Sequence, residues 1–216
     1  MYTCELHCHT KFSKCSDLEL SMILERCLKK GINCIAITDH NSIEGALALQ
    51  KISSDKLTVI VGEEILTSEG ELIAYFLTSK IPALKSPEET IKLVRRQGGL
   101  VGVSHPFDRI RKEALRRDSL ERIKDKLDFL EVFNSRCLFN SWNQQALRFF
   151  ETNQLLHTVG SDAHFAEEIG KSTMELADIS DPAAFLDSLS KAKTECKLAR
   201  LGLFKSKLRK LWQRRK

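Results

Sequence analysis

Short apolar runs alternate along the chain with segments in which apolar residues recur every three or four positions. The runs have the length of buried strands and lie at residues 2–6, 34–38, 57–61, 71–77, 100–103, 128–133 and 155–159. The periodic segments have the pattern of helices with one buried face and lie at 18–30, 41–51, 87–97, 111–125, 141–152 and 183–192. This alternation predicts an α/β fold with a parallel sheet and helical crossovers.

The pairing of the third and fourth predicted strands sets the direction in which the Glu71 side chain points. If a four-residue loop joins Leu66 to Glu71, these two residues lie opposite each other. Leu66 and Glu64 share a face of their strand because they are two residues apart, so Glu71 points to the same side as Glu64. A shift of one residue in the register would reverse this direction.

Side chains that bind metals stand at or just after the ends of the predicted strands. Five of the six histidines have this position together with two acids; the set is His7, His9, His40, Glu64, His105, Asp162 and His164. His7 and His9 point to the same side of an extended strand and can hold one ion together. In a closed β/α barrel the carboxyl ends of the strands converge on one face, where active sites form. Each residue alone is also compatible with a structural role.

The composition is that of a globular protein that can bury one core: 216 residues, of which 42% are hydrophobic and 29% charged. No run approaches the ~20 apolar residues of a membrane-spanning helix. The N-terminus lacks a basic region followed by an apolar run, so a secretory leader is not expected. The seven cysteines are odd in number and form no Cys-x-x-Cys pair, which favours the cytoplasm as the location.

The positive charge is concentrated at the end of the chain. Residues 197–216 contain nine Lys or Arg and no acid, so the net charge of +5 leaves about −4 for the rest. Apolar residues of this segment recur at helical spacing, which predicts a basic amphipathic helix. We therefore divide the chain into a folded domain, residues 1–196, and a tail, residues 197–216. The tail either packs on the domain or binds RNA, single-stranded nucleic acid or an anionic membrane.

Five segments, taken in order, resemble the motifs of the PHP family, named for polymerase and histidinol phosphatase. They are Glu5-Leu-His7-Cys-His9-Thr, Ile37-Thr-Asp39-His40-Asn, Gly62-Glu-Glu64-Ile, Val103-Ser-His105-Pro-Phe and Gly160-Ser-Asp162-Ala-His164. The first motif usually begins with Asp, where this chain has Glu5. The resemblance implies that residues 1–196 form a distorted (β/α)7 barrel. It also implies two or three divalent metals at the carboxyl-terminal face of the strands and phosphoesterase activity.

The resemblance further implies which residues hold the first two metals. The ligands implied for the first metal are His7, His9, Glu64 and Asp162. Glu64 would bridge to the second metal, which His105 would complete. Glu71 is a further candidate ligand there, at a place where many members have histidine.

A third metal would use His40, His164 and one residue of the loop after the first motif. The family usually has His or Asp in this loop, whereas this chain has Cys15 at about that place and Asp17 two residues later. A Cys15 thiolate would favour zinc, and an Asp17 carboxylate would favour manganese or magnesium. Alternatively, Cys15 is a small buried residue and Asp17 caps the helix that follows. We therefore expect two tightly held metals and a weaker third.

The chemistry of these residue types agrees with phosphate ester hydrolysis. Two metals about 3.5–4 Å apart can hold a hydroxide and neutralise the attacking and leaving oxygens of a phosphate. Mixed carboxylate and imidazole ligands suit Mn²⁺, Fe²⁺ or Zn²⁺. Asp39 is a candidate catalytic residue or a helix cap. Phosphate also needs cationic donors that do not titrate, for which Arg136 is the first candidate and Lys171 the second.

Two substrate classes fit this site. The basic tail favours nucleotides or the 5′ end or backbone of a nucleic acid, and a small phosphomonoester such as histidinol phosphate is the alternative. A different hypothesis is a catalytically silent metal-binding or regulatory module. The large number of potential ligands argues against it, because a silent site has no physical need for so many acids and histidines.

Overall fold

The structure, a computed structural model, describes residues 1–53 and 55–199. Its strands are β1 Tyr2–Cys8, β2 Cys34–Ile37, β3 Thr58–Thr67, β4 Gly70–Tyr75, β5 Leu100–Val103, β6 Phe129–Asn134, β7 Leu156–Gly160, β8 Ser172–Leu176 and β9 Lys193–Cys196. Its helices are α1 Leu20–Lys29, α2 Glu44–Ile52, α3 Pro87–Arg96, α4 Arg117–Ile123, α5 Asn140–Asn153 and α6 Pro182–Leu189. A 3₁₀ turn, Lys124–Lys126, follows α4 directly.

The strands form one sheet in the order β7-β6-β5-β4-β3-β2-β1-β8-β9, which curves into a nearly closed barrel. The open side is narrow, because the N–H of His9 donates to the carbonyl of Ala163, just beyond β7, at 2.9 Å. The N–H of Ala163 in turn donates to the carbonyl of His7 at 3.2 Å. The barrel class implied by the resemblance is therefore confirmed. The carboxyl ends of β1 and β7 lie side by side.

The sheet contains the predicted parallel pairs with crossovers and also several antiparallel strands, so it is mixed. The pairs β1–β2, β2–β3, β5–β6 and β6–β7 are parallel, whereas β4 runs antiparallel to both of its neighbours. A two-residue connection between β3 and β4 permits only a hairpin, because a parallel crossover needs a dozen or more residues. β8 is also antiparallel to β1, and β9 to β8.

The hairpin of β3 and β4 has the predicted register. Leu66 is paired with Glu71, and Glu64 with Ile73. β3 is longer than predicted, so Glu64 lies inside the strand instead of beyond its end. A single bridge pairs Glu64 with His40 just after β2, which brings Glu64 level with the carboxyl end of β2.

Buried aromatic residues tie opposite parts of the barrel together. The rings of Tyr75 on β4 and Phe129 on β6 stack with their centroids 4.8 Å apart. The Tyr75 hydroxyl donates to the carbonyl of Leu6 on β1 at 2.8 Å, so this side chain links β4 to β1. Gly102 on β5 leaves the space for Phe129, because a Cβ at residue 102 would lie 2.3 Å from the ring. The packing of Phe129 inside the barrel therefore requires glycine at residue 102.

Both predicted helix caps were wrong. α1 begins at Leu20 with Glu19 as its N-cap residue, so Asp17 lies two residues before the cap. Leu18 is buried within the preceding loop, where its carbonyl accepts from the N–H of Lys11. α2 begins at Glu44 with Ile43 as its N-cap residue, so Asp39 does not cap it, and the hydroxyl of Ser42 accepts from the N–H of Glu44 at 3.2 Å. In both cases a loop that packs towards the barrel delays the start of the helix.

Two strands were missed, and most of the tail lies outside the described residues. β8 alternates buried and exposed positions over only five residues, and β9 is exposed at every position, so neither gives an apolar run.

The predicted amphipathic helix falls almost entirely within residues 200–216, which the structure does not describe. The N–H groups of Lys197 and Ala199 donate to the carbonyls of Lys171 and Ser135. Among the described helices, none is long and apolar enough to cross a membrane.

Candidate metal centre

Four predicted ligands bring their donor atoms together at the carboxyl end of β1. The Nε2 atoms of His7 and His9 are 3.2 Å apart. Oδ1 of Asp162 lies 3.3 Å from Nε2 of His9 and 3.7 Å from Nε2 of His7. Oε2 of Glu64 lies 3.4 Å and 3.6 Å from the same two nitrogens. Donor atoms of His7, His9 and Asp162 all lie within 4.8 Å of one another, so these three residues form a candidate site for one cation, and Oε2 of Glu64 lies beside its two histidines.

The same carboxylate oxygens lack hydrogen bonds. Oε2 of Glu64 and Oδ1 of Asp162 are buried, and neither has a hydrogen-bond partner within the described parts of the chain. Burial alone would raise the pKa of both carboxyls, but His7 and His40 hold that of Glu64 well below its usual value, and Arg111 and His7 do the same for Asp162. Buried ionised oxygens without donors are costly unless a cation compensates them. The donor set therefore fits a divalent metal.

Glu131 orients the first histidine. Nδ1 of His7 lies 2.9 Å from Oε1 of Glu131, and both side chains are buried. A hydrogen on Nδ1 directed at this carboxylate leaves the lone pair on Nε2, the nitrogen that faces Asp162 and Glu64. Oε2 of Glu131 accepts from the N–H of His105 at 2.7 Å and so also fixes a second predicted ligand. Our sequence reasoning missed Glu131, although an acid within an apolar strand was a signal.

A second group of donors lies on the other side of Glu64. Oε1 of Glu64 is 2.9 Å from Nε2 of His105. Glu71 faces the same space, with its Oε2 3.9 Å from Nε2 of His105 and its Oε1 3.1 Å from Nδ1 of His40. Oε1 of Glu64 therefore faces His105, whereas Oε2 faces His7, His9 and, at 3.2 Å, Nδ1 of His40. This is the arrangement expected of a carboxylate that bridges two cations.

A third group consists of three histidines and one cysteine. His9, Cys15, His40 and His164 can each offer a donor atom, with all four atoms within 4.8 Å of one another. His9 and His40 also face the first and second groups, so the groups share residues. Asp17 is exposed and belongs to none of the three clusters found among the described residues. Of the two loop residues considered, the geometry favours Cys15.

Asp39 positions the histidines of the site indirectly, through hydrogen bonds from Thr10 and Ser13. Its carboxylate accepts from the N–H of Thr10 at 2.7 Å, from the Thr10 hydroxyl at 2.6 Å and from the Ser13 hydroxyl at 2.8 Å. Oγ of Ser13 lies 3.4 Å from Nδ1 of His9 and accepts from the N–H of His40 at 2.8 Å. These contacts engage both oxygens of Asp39 and are those of a positioning residue, while its catalytic role stays a prediction.

The predicted phosphate donors have different surroundings. Arg136 is buried, and its Nη1 lies 3.2 Å from Oε2 of Glu168, which also accepts from the N–H of His164. Burial lowers the pKa of His164, and the positive charges of His9 and Arg136 lower it further. Arg136 therefore lies close to the third group. The ammonium group of Lys171 lies near that of Lys30. Burial and the neighbouring cations lower the pKa of Lys30. Within residues 1–53 and 55–199, no hydrogen bond or ion pair joins the Lys171 side chain to the donor groups, and its role as a phosphate ligand stays a prediction.

Arg111 is a cation at the site that the sequence did not indicate. Its Nη2 donates to Oδ2 of Asp162, the oxygen opposite the one that faces His7 and His9. Its Nε donates to Oδ2 of Asp108 at 3.2 Å. Arg111 lies in the irregular segment after β5, because the helix predicted for residues 111–125 begins only at Arg117. The guanidinium of Arg111 therefore contacts the first donor group through Oδ2 of Asp162.

The fold and the site define an α/β barrel protein with buried metal-ligand groups at the carboxyl face of its strands. The chain belongs to the PHP family, because the PHP domain matches residues 5–147 and the PHP-associated region matches residues 140–194. It is 34% identical over 218 residues to the uncharacterized protein MJ0417 of Methanocaldococcus jannaschii; the match covers 96% of this chain and 87% of that protein.

Two solved structures share the fold. One is described as a metal-dependent phosphoesterase from Bifidobacterium adolescentis, with a TM-score of 0.65 and 17% identity over 87% of this chain and 96% of that one. The other is the lesion-specific endonuclease PfuEndoQ from Pyrococcus furiosus, with a TM-score of 0.64 and 16% identity. The latter match covers 90% of this chain and 57% of the endonuclease. At these identities the likeness concerns the fold.

Proposed function

We propose that this protein is a metal-dependent hydrolase of phosphate esters. The observation that carries the proposal is the central position of Glu64, whose Oε1 faces His105 and whose Oε2 faces His7, His9 and His40. This is the ligand arrangement for two adjacent cations, which polarise a phosphate ester and activate the attacking water when bound. Mn²⁺, Zn²⁺ and Fe²⁺ suit the mixture of carboxylates and imidazoles.

The residues around the donor groups have distinct tasks in this mechanism. Glu131 and Asp39 hold His7 and the loop of His9 in the orientation that directs their donor nitrogens inwards. Arg111 neutralises the outer oxygen of Asp162 and adds a permanent positive charge beside the first group. Arg136 adds another near His164. Positive charges of this kind stabilise the charge of a phosphate in the transition state.

Two substrate classes remain for this site, a nucleotide or nucleic acid and a small phosphomonoester. The fold is shared with a phosphoesterase and with a nucleic-acid endonuclease, which supports phosphate ester chemistry and does not choose between the classes. The tail also stays a prediction, with nucleic acid as the partner that its charge favours.

The test begins with metal analysis of the purified protein by mass spectrometry. Activity is then measured on phosphomonoesters, phosphodiesters and short RNA and DNA strands after loading with Mn²⁺ or Zn²⁺. Glu64→Gln should lose bound metal and about 10³-fold or more of the activity, since it removes charge from two donor groups at once. The neighbouring Glu63→Gln is a matched control, because Glu63 is equally buried but faces the N–H of Ile81. Full hydrolysis by metal-free Glu64→Gln would refute the proposal.

A further inference from the structure

A groove with a positive lining lies between α4 and α5, outside the metal centre. It encloses about 320 Å³ and is lined by Phe107, Arg117, Glu121, Lys124, Gln145, Arg148, Phe149, Thr152 and Asn153. Arg117 and Glu121 are four residues apart on α4, and Lys124 follows in the next turn, so these side chains share one face. On α5 the lining residues recur at intervals of three and four and form the facing wall.

The charges of this groove are unequal. The single acid, Glu121, is paired with Lys124 at 3.2 Å. Arg117 and Arg148 form no ion pair or side-chain hydrogen bond within residues 1–53 and 55–199, and both are exposed. Two guanidinium groups facing one groove repel each other and attract an anion. Guanidinium groups also bind phosphate oxygens through two donors at once.

Aromatic rings line the same groove. The centroids of Phe107 and Phe149 are 5.8 Å apart, with Phe107 half-buried and Phe149 at 9% exposure. Apolar ring surface beside unpaired guanidinium groups suits a ligand with a flat ring and a phosphate. This is the combination by which proteins hold single-stranded nucleic acids, with bases on rings and the backbone on cations. The volume is in the range of small-ligand sites, large enough for one nucleotide unit.

One segment of the chain contributes residues both to the groove and to the metal centre. Phe107 is two residues after His105, whose Nε2 contacts Glu64. The segment that begins there carries Asp108 and Arg111, and Arg111 donates to Asp162. One short irregular segment after β5 therefore lines both places. A polymer whose phosphate lies at the donor groups can lay a neighbouring unit on this segment and into the groove.

We propose that the groove between α4 and α5 binds a nucleotide unit of a single-stranded nucleic acid whose scissile phosphate lies at the metal centre. This inference rests on the proposed phosphoesterase function and names its substrate class. A small phosphate ester reaches the metal centre without touching the groove. The groove therefore contributes to the binding of polymers and leaves hydrolysis of small esters unchanged.

The test compares two substrates in the metal-loaded, full-length protein. One is a single-stranded oligonucleotide of about 12 units, as DNA and as RNA, and the other is bis-p-nitrophenyl phosphate. In the double variant Arg117→Ala/Arg148→Ala, we expect kcat/KM for the oligonucleotide to fall about tenfold or more, mainly through KM. The salt slope of oligonucleotide binding should flatten by about 1.4 for two lost phosphate contacts. The kcat/KM for bis-p-nitrophenyl phosphate should stay within about twofold of the wild-type value.

A double variant with the same loss of charge is the control. Lys51→Ala/Lys92→Ala removes two exposed cations from α2 and α3, away from the groove, and should leave both substrates nearly unaffected. Equal losses on both substrates, or no loss on either, would overturn the groove assignment. An oligonucleotide loss that the control reproduces would also overturn it. If the wild type hydrolyses neither these two substrates nor a phosphomonoester such as p-nitrophenyl phosphate, the proposed function itself fails, and if it hydrolyses only small esters, the groove assignment alone fails.

Discussion

Nδ1 of His7 lies 2.9 Å from Oε1 of Glu131, although 124 positions separate the two residues in the chain. β1 and β6 meet across the interior of the barrel at this contact. The carboxylate fixes which ring nitrogen of His7 carries the hydrogen and therefore which nitrogen is free to bind a cation. A residue that touches no substrate thus sets the geometry of the first donor group.

Replacement of this carboxylate should weaken metal binding without abolishing the fold. Glu131→Gln keeps the shape of the side chain but removes the charge that holds the Nδ1 hydrogen. We expect the metal affinity of the first group to fall about 10–100-fold, the usual effect of losing such a partner. Competition with a chelating dye measures this affinity, and circular dichroism verifies the fold. Glu151→Gln on the exposed surface of α5 is the control, and an affinity equal to the wild type would show that Glu131 does not position His7.

The sequence could predict the ligands that follow strand ends, because the fold brings those ends together. It could also predict the direction of Glu71, since the hairpin register follows from the length of the turn. It could not predict the role of Glu131, because β6 is buried on both faces and its pattern does not show which side chains face the interior. The burial of Glu131 beside His7 follows only from the curvature of the complete sheet.

Irregular loops account for the other errors. Arg111 reaches Asp162 from the loop before α4, which begins at Arg117 and not at residue 111 as predicted. His105 and Asp162 have φ values of 33° and 53°, which residues other than glycine rarely adopt. Such conformations are imposed by surrounding contacts and are common at functional sites. Sequence spacing alone therefore places these residues near the site but does not give the direction of their side chains.

The pH dependence of stability should contain a contribution from His157 that is independent of the donor groups. Burial lowers the pKa of this histidine on β7 below its ordinary value of about 6.5. The unfolded chain therefore takes up a proton below pH 6.5 that the folded chain does not, so stability falls as the pH falls from about 6.5 towards the folded-state pKa. His157→Phe retains a ring against Phe150, whose centroid is 4.8 Å away, and removes the titrating group.

Urea unfolding at pH 7.5 and 5.5 measures this contribution. The wild type should lose more stability between the two pH values than His157→Phe does. The other five histidines are present in both proteins, so the difference between the two losses isolates His157. Equal losses would mean that burial does not disfavour the charged form at this position.

The third donor group should bind a metal through Cys15. His9, Cys15, His40 and His164 all have donor atoms within 4.8 Å of one another, and sulfur is the softest of these donors. Because His9 and His40 also face the first and second groups, the third group holds its metal less tightly than the other two. Metal binding releases the thiol proton to solvent, and the resulting thiolate favours zinc or cobalt over manganese.

Cobalt substitution tests this assignment without reference to activity. The wild type loaded with Co²⁺ should show a near-ultraviolet sulfur-to-cobalt charge-transfer band, and its metal content should exceed that of Cys15→Ser by one ion per chain. Asp17→Asn should change neither measurement, because Asp17 is exposed and outside the donor groups. Cys196→Ser is the matched control, since Cys196 lies on the exposed strand β9. A charge-transfer band that survives Cys15→Ser, or a metal content that falls with Asp17→Asn, would move the third site away from Cys15.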